Sequence, residues 1–260
     1  MNEIATPLAD RMGKPARDNT HPNLRPRDAS TLILIDRSKP APQVLLGRRH
    51  HSHKFMPGMF VFPGGRVETD DRRMPAATPL DPRVEARLLK DVRTPSPAKA
   101  RGLALAAIRE TFEETGLLLG TRQADAHQAD TRAAPGGLSS GPLSGPWAAF
   151  AKAGVLPDLG EIHFIARAIT PPRRPRRFDT RFFAVDTEAI AVREDGKVGP
   201  DSELVELVWL PIDEAKRLEL PPITKAVLEE LEARTAAGFS HDLPAPFYRM
   251  VHRRVMKTML

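Results

Sequence analysis

The chain has 260 residues, with 39 Lys plus Arg against 33 Asp plus Glu, a formal net charge of +6 and no cysteine. The lack of cysteine excludes a disulfide scaffold, a thiol nucleophile, an iron–sulfur cluster and a cysteine-ligated zinc. A hydrophobic content of 41% excludes disorder throughout, no apolar run approaches the ~20 residues of a membrane helix, and the positive balance points to anionic partners, either nucleic acid or a smaller phosphorylated compound.

Residues 1–27 are polar, carry Pro7, Pro15, Pro22 and Pro26 and lack periodicity, so they read as a flexible arm without the apolar region of a signal peptide. The fold is expected from residue 28. Thr31–Ile35 is a short buried-strand run, Ser38–Pro42 turns it, and Gln43–Arg48 returns as a second strand. Met59–Phe62 is a third strand, stopped by Pro63-Gly64-Gly65. Asp81 as N-cap with Pro82 behind it, then Val84, Leu88 and Val92, predicts a short amphipathic helix. Ser96 and Pro97 start a longer helix that Gly116 ends. Residues 120–146 are rich in Ala, Gly, Ser and Pro and read as a flexible loop. A short helix at Trp147–Ala153 follows, then strands at Ile162–Ile169, Phe178–Val185 and Leu204–Leu210, and helices at Asp213–Leu218 and Ile223–Arg234. Residues 241–260, with His252-Arg253-Arg254, read as a solvated tail.

The helix ending at Gly116 contains Arg109-Glu110-Thr111-Phe112-Glu113-Glu114. At ~100° per residue, Glu113 lies about 60° to one side of Glu110 and Glu114 about 40° to the other, so three carboxylates share one arc with Arg109 at its edge. Leu105, Ile108 and Phe112 form the opposite, buried stripe, and the small Ala106 and Ala107 precede the acidic arc. Like charges on one face repel. A hard divalent cation such as Mg²⁺, which takes oxygen ligands, waters and substrate phosphates, removes the penalty; a solvated acidic face is the bland alternative.

With Phe62-Pro63-Gly64-Gly65 before it, this helix resembles the Nudix hydrolases, whose signature reads G-x5-E-x7-R-E-U-x-E-E-x-G-U. Gly65 opens the match and Arg109–Leu117 closes it. Asp71 stands at the front glutamate, with Glu68 and Asp70 as alternatives, and Thr111 stands at an apolar position. Residues 72–108 number 37 where the motif has 7. This insertion (72–95 with its helix) reads either as a cover over the site or as a remote surface excursion.

Upstream, Leu45-Leu46-Gly47-Arg48-Arg49-His50, Lys54 and Gly58–Gly65 are similar to the pattern of the coenzyme A diphosphatase branch, in particular the mammalian peroxisomal type with an interrupted box. The resemblance implies an α/β/α sandwich with a mixed sheet over 28–240. It implies a pyrophosphohydrolase that cleaves a nucleoside diphosphate linked to another moiety. Coenzyme A or acyl-CoA is the favoured substrate, with NADH, ADP-ribose and capped RNA as alternatives, or a non-catalytic nucleotide-sensing domain. Glu110, Glu113, Glu114 and Gly65 are implied as Mg²⁺ or Mn²⁺ ligands, Glu110 also as the base, and Arg109 as the group that orients the glutamates. Arg49 and Lys54, and Arg177 and Arg181 from the arginine run 173–181, are candidate substrate-phosphate contacts; Glu203 or Glu206 is a candidate additional acid. His50, His51 and His53 read as ring-stacking or exposed groups ahead of a zinc site. The expected partner is a small nucleotide, not a membrane, and the expected location is cytoplasmic.

Overall fold

The computed structural model describes residues 3–4 by their backbone, and residues 21–52, 56–122, 144–252 and 254–260. The strand expected at 31–35 is the middle of a longer one. Strand β1 (Glu3–Ile4) pairs with the last strand at Met256 and Lys257 and so takes the start of the expected flexible arm into the sheet, and β2 covers Arg27–Asp36, beginning one residue before the expected boundary. Successive side chains of β2 enter opposite layers: Leu32 and Leu34 go into one core, Ile33 and Ile35 into the other. This is the period of two that a strand imposes. Strand β3 (Gln43–Arg49) repeats it, with Leu45 on the first side and Val44 and Leu46 on the second.

The third expected strand is shorter and continues differently. Strand β4 (Phe60–Val61) pairs with β3, and Gly64–Arg66 forms its own strand, β5, antiparallel to β2 with Gly65 opposite Ser30. Gly64-Gly65 therefore does not stop the sheet but moves the chain from β3 to β2, at a place where a Cβ on Gly64 would collide with Thr31.

Helix α1 is Pro82–Leu89 and α2 is Pro97–Thr115. Both start as their sequences require: Asp81 accepts from the Arg83 amide, and Ser96 accepts from the Lys99 amide, with Pro at the first helical position. Gly116 closes α2 with φ +76°. Helix α1 ends at Leu89, before Val92. Its Val84 and Leu88 are buried in the same cluster as Leu103 and Ala104 of α2 and Phe164, and Arg87 binds the carbonyls of His241 and Asp242. The helix of the 72–95 segment is thus built into the core on the α2 side of the sheet rather than lying loose on the surface.

The chain continues through β6 (Leu117–Leu119), β7 (Thr121–Arg122), α3 (Pro146–Ala153), β8 (Val155–Leu156), β9 (His163–Ile169), β10 (Phe178–Asp186), β11 (Ile190–Arg193) and β12 (Leu204–Pro211). It ends with α4 (Ile212–Ala215), α5 (Pro222–Ala236), β13 (Pro246–Val251) and β14 (Arg254–Met259). The main sheet runs β1-β14-β13-β9-β10-β2-β3-β12, with β4 on β3 and β5 on β2. Strands β10 and β2 are parallel, as are β13 and β9, and the other pairs are antiparallel. Helices α1, α2 and α3 pack on one face; α4 and α5 bring Ile212, Ala215, Val227, Leu228 and Leu231 to the other. The result is the expected α/β/α arrangement around a mixed sheet.

Residues 241–260 correct the expectation of a solvated tail. They form the β13–β14 hairpin inside the main sheet, with Phe247, Tyr248 and Val255 buried. The alternation of Phe247 into one core and Tyr248 into the other was the available signal; the flanking basic residues masked it. Most of the expected arm (5–20) and of the expected loop (123–143) lies outside the described residues, as do His53, Lys54 and Arg253. Among the described residues no helix is long and apolar enough to cross a membrane.

Candidate active site

Arg109 was expected at the edge of the acidic arc. It is the centre of the site, with 3% of its side chain exposed. Its Nε donates to Asp71 Oδ1 at 2.7 Å and one terminal nitrogen to Asp71 Oδ2 at 3.1 Å. The same nitrogen reaches the Arg66 carbonyl at 2.8 Å. The other donates to Glu110 Oε1 at 2.9 Å and to Glu113 Oε2 at 2.5 Å. A planar guanidinium presents its donors in a fixed fork, so one side chain sets the orientation of three carboxylates at once.

Asp71, rather than Glu68 or Asp70, takes the front acidic position. A short 3₁₀ turn, Asp70–Arg72, carries it inward, and it is fully buried. Two further donors hold it: the Glu68 amide at 2.7 Å and Trp147 Nε1 at 3.2 Å. Trp147 belongs to α3, packs on Phe150 (ring centroids 5.0 Å) and lies far from the motif in sequence. Nothing in the sequence marks it as a site residue, because its role arises only where α3 meets α2 and the turn. Thr111, the other departure from the pattern, is buried with its hydroxyl donating to the Ala107 carbonyl at 2.8 Å, which satisfies it on the apolar side of the helix.

The carboxylates face a glycine strand. Any Cβ on Gly65 would collide with the Glu110 carboxyl, so only glycine leaves the approach open. The Gly64 amide donates to Glu114 Oε2 at 3.3 Å. Glu114 is buried, and burial together with Glu203 and Glu110 raises its pKa well above the ordinary value. Glu110 is pushed up to about 7, mainly by burial and further by Glu113 and Glu203, against the pull of Arg109. Ala106 and Ala107 are fully buried; they do not line an open space beside the carboxylates, as their size suggested.

These observations fit a divalent cation. Two carboxylates that resist ionisation, next to a backbone approach no side chain can enter, are relieved by a hard positive ion. Among the described residues there is no group of three or more acidic or imidazole side chains placed to hold a metal ion. Mg²⁺ does not need one, since it keeps several waters and substrate oxygens.

Arg49 lies at this site. It pairs with Glu203 at 3.0 Å, is largely buried, and its Nε has no hydrogen-bond partner. Glu203 acts on both Glu110 and Glu114. Glu206 instead pairs with Arg48 at 2.8 Å.

Arg177 and Arg181 are corrections. Arg181 is fully buried and binds Asp28 at 2.8 Å and the Asp179 carbonyl at 2.9 Å. Arg177 is occupied by Asn23 and the carbonyls of Leu24 and Thr170. Strand register, which turns residue 181 into the core side, and the neighbouring 23–24 segment decide both roles. His50 bonds Ser52 at 2.6 Å and His51 lies 3.4 Å from Arg48.

No family model matches the chain. A Nudix hydrolase from Alicyclobacillus acidocaldarius is similar in structure, with 27% identity over 80% of this chain and 92% of that one and a TM-score of 0.56. The Nudix domain of Shewanella oneidensis NrtR, solved with ADP-ribose, has 10% identity over 87% and 97% of the two chains and a TM-score of 0.43. The MutT protein of Methanosarcina mazei Go1 has 14% identity over 82% and 99%, at 0.42. The first of these carries the comparison: the chain has the fold of a Nudix hydrolase.

Proposed function

We propose that this chain, a hydrolase with the Nudix fold, is a divalent-metal-dependent enzyme that cleaves the pyrophosphate of a nucleoside diphosphate linked to another moiety, with coenzyme A or an acyl-CoA as the favoured substrate. The observation that carries the reading is Arg109, buried and binding Asp71, Glu110 and Glu113 together beside the Gly64-Gly65 strand. Glu110, Glu113, Glu114 and the Gly65 carbonyl would hold Mg²⁺ or Mn²⁺. Such an ion supplies neutralisation of charge on the pyrophosphate and a water of lowered pKa.

The chain's own residues do the rest. Arg109 fixes the directions of Glu110 and Glu113, which is the positioning that phosphoryl transfer depends on. Glu110, near 7, is suited to take the proton from the attacking water at neutral pH. Water adds to one phosphorus and the bridging oxygen leaves with the departing phosphate. Arg49, now held by Glu203, exchanges that partner for a substrate phosphate.

Support for coenzyme A is the spacing from Leu45 to Gly65, with Arg49 at the cluster. Retention of all three helix glutamates speaks against a pure nucleotide sensor. The test is release of 3′,5′-ADP from coenzyme A and acetyl-CoA with Mg²⁺ or Mn²⁺, alongside NADH, ADP-ribose and a capped oligonucleotide. Turnover is expected to vanish in Glu114→Gln with an unchanged circular dichroism spectrum. Full activity in that variant, or in excess chelator, overturns the metal-dependent reading; faster cleavage of NADH, ADP-ribose or the capped RNA overturns only the choice of substrate.

A further inference from the structure

The starts of β2 and β10 run side by side, with Phe178 in parallel register with Arg27. The segments leading into them, together with Arg66 of β5, enclose a groove of about 790 Å³. It is a built feature. Arg177 Nε donates to the Thr170 carbonyl at 3.1 Å, its terminal nitrogen donates to Asn23 Oδ1 at 2.8 Å and the Leu24 carbonyl at 2.6 Å, and the Arg27 amide donates to the Arg177 carbonyl at 3.0 Å.

Four other guanidinium groups line this groove: Arg25, Arg27, Arg66 and Arg176. All four residues are exposed, and among the described residues none of the four groups makes an ion pair or hydrogen bond. Other arginines of this chain do reach carboxylates: Arg37 binds Asp186 and Arg48 binds Glu206, each at 2.8 Å. The carboxylate in the groove lining, Asp28, is already taken by Lys99 and Arg181, each at 2.8 Å. Glu68 and Asp70 lie beside Arg27 and Arg66 in the adjoining pocket but pair with neither, so among the described residues the four guanidinium charges are not neutralised by direct contact, an arrangement that favours an anion from outside. A phosphate monoester carries about −1.5 to −2 at neutral pH, so four guanidinium groups match two phosphates. Their planar forks suit phosphate oxygens. Phe178, Pro26 and Pro175 supply an apolar wall for the organic part of a ligand.

We propose that this groove is a second binding site, for an organic ligand bearing two phosphate groups, separate from the carboxylate cluster around Arg109. Arg66 connects the two places: its side chain lines the groove and its carbonyl holds Arg109. The proposal stands whether or not the pyrophosphohydrolase reading does.

The test is calorimetric titration of the full chain in chelator, with adenosine 3′,5′-bisphosphate as probe and AMP as its single-phosphate control. The bisphosphate is expected to bind at least about tenfold more tightly than AMP, and to weaken as salt is raised. Arg27→Ala/Arg176→Ala, both exposed positions, is expected to weaken it at least about tenfold with an unchanged circular dichroism spectrum. Glu114→Gln is expected to bind as the unsubstituted chain does. The proposal is overturned by absence of saturable binding, by equal affinity in the double arginine variant, or by loss in Glu114→Gln. It is equally overturned if an RNA decamer binds through the same arginines and the bisphosphate does not displace it, since the groove then serves a nucleic-acid backbone.

Discussion

Asp71→Ala tests the central contact of the site. Asp71 is fully buried and accepts four hydrogen bonds, two from Arg109, one from the Glu68 amide and one from Trp147. Removing it leaves Arg109, with 3% of its side chain exposed, without a partner for Nε, although one terminal nitrogen keeps Glu110 and Glu113. Breaking one side of a buried ion pair costs about 3–5 kcal/mol, a large share of the roughly 5–15 kcal/mol that holds a domain folded. At about 2–4 °C per kcal/mol for a chain of this size, the melting temperature of the metal-free protein should fall by roughly 6–20 °C. Scanning calorimetry measures that shift, and metal-dependent hydrolysis measured on the same samples should lose on the order of 10²-fold in kcat, since Glu110 and Glu113 lose a fixed Arg109. Asp71→Glu is the matched control: the extra methylene enters a site with no exposed surface and should cost about 1–3 kcal/mol. A melting temperature within about 2 °C of the parent for Asp71→Ala, or a gain for Asp71→Glu, would refute the view that the turn and Trp147 are fitted to the shorter acid.

Glu110 makes stability depend on pH. Its folded pKa of about 7 lies above the ordinary 4.5, so the folded state binds more protons between those values and metal-free stability falls as pH rises from 4.5 to 7, by on the order of 3 kcal/mol. Glu114, also raised, adds to the same slope; denaturant titrations across that window should show it and Glu110→Gln should reduce it, whereas a flat profile in the parent chain argues against the buried carboxylates. Mg²⁺ should accordingly stabilise the protein more at pH 8 than at pH 5, as thermal shifts will report. Gly65→Ala puts a methyl group on the Glu110 carboxyl and should lower kcat on the order of 10²-fold; wild-type turnover would show that the glycine is not needed for the approach. Ending the chain after Leu243 removes β13 and β14 with Phe247, Tyr248 and Val255. At about 1.5–3 kcal/mol for each buried side chain, that product should fail to fold, and a soluble fragment with the parent's spectrum would restore the reading of 241–260 as a tail.

Much of the fold was legible because its signals are local. Ser96, Pro97 and Gly116 mark the two ends of α2 to the residue, since a cap and a left-handed stop act on their own backbone. Continuous apolar runs in 31–35 and 43–46 announce strands covered on both faces, and the three glutamates with Arg109 announce an acidic helix face. Other assignments needed partners distant in sequence. Asp71 becomes the front acid because Trp147 and the Glu68 amide close around it. Arg181 is removed from the surface by its strand register, and Arg177 is tied down by residues 23–24. The basic ends of the 246–259 hairpin hid two strands that the sheet then pairs.

The +6 charge divides in the same way. Its sign, which points toward an anionic partner, follows from composition alone. Where that charge is free to act is a tertiary outcome: Arg109 is consumed by three acids of its own chain, while Arg25, Arg27, Arg66 and Arg176 meet in one groove without an ion pair to any described residue. A charge belongs to its residue, but its neighbours are chosen by how strands from 27, 64 and 178 come to lie side by side.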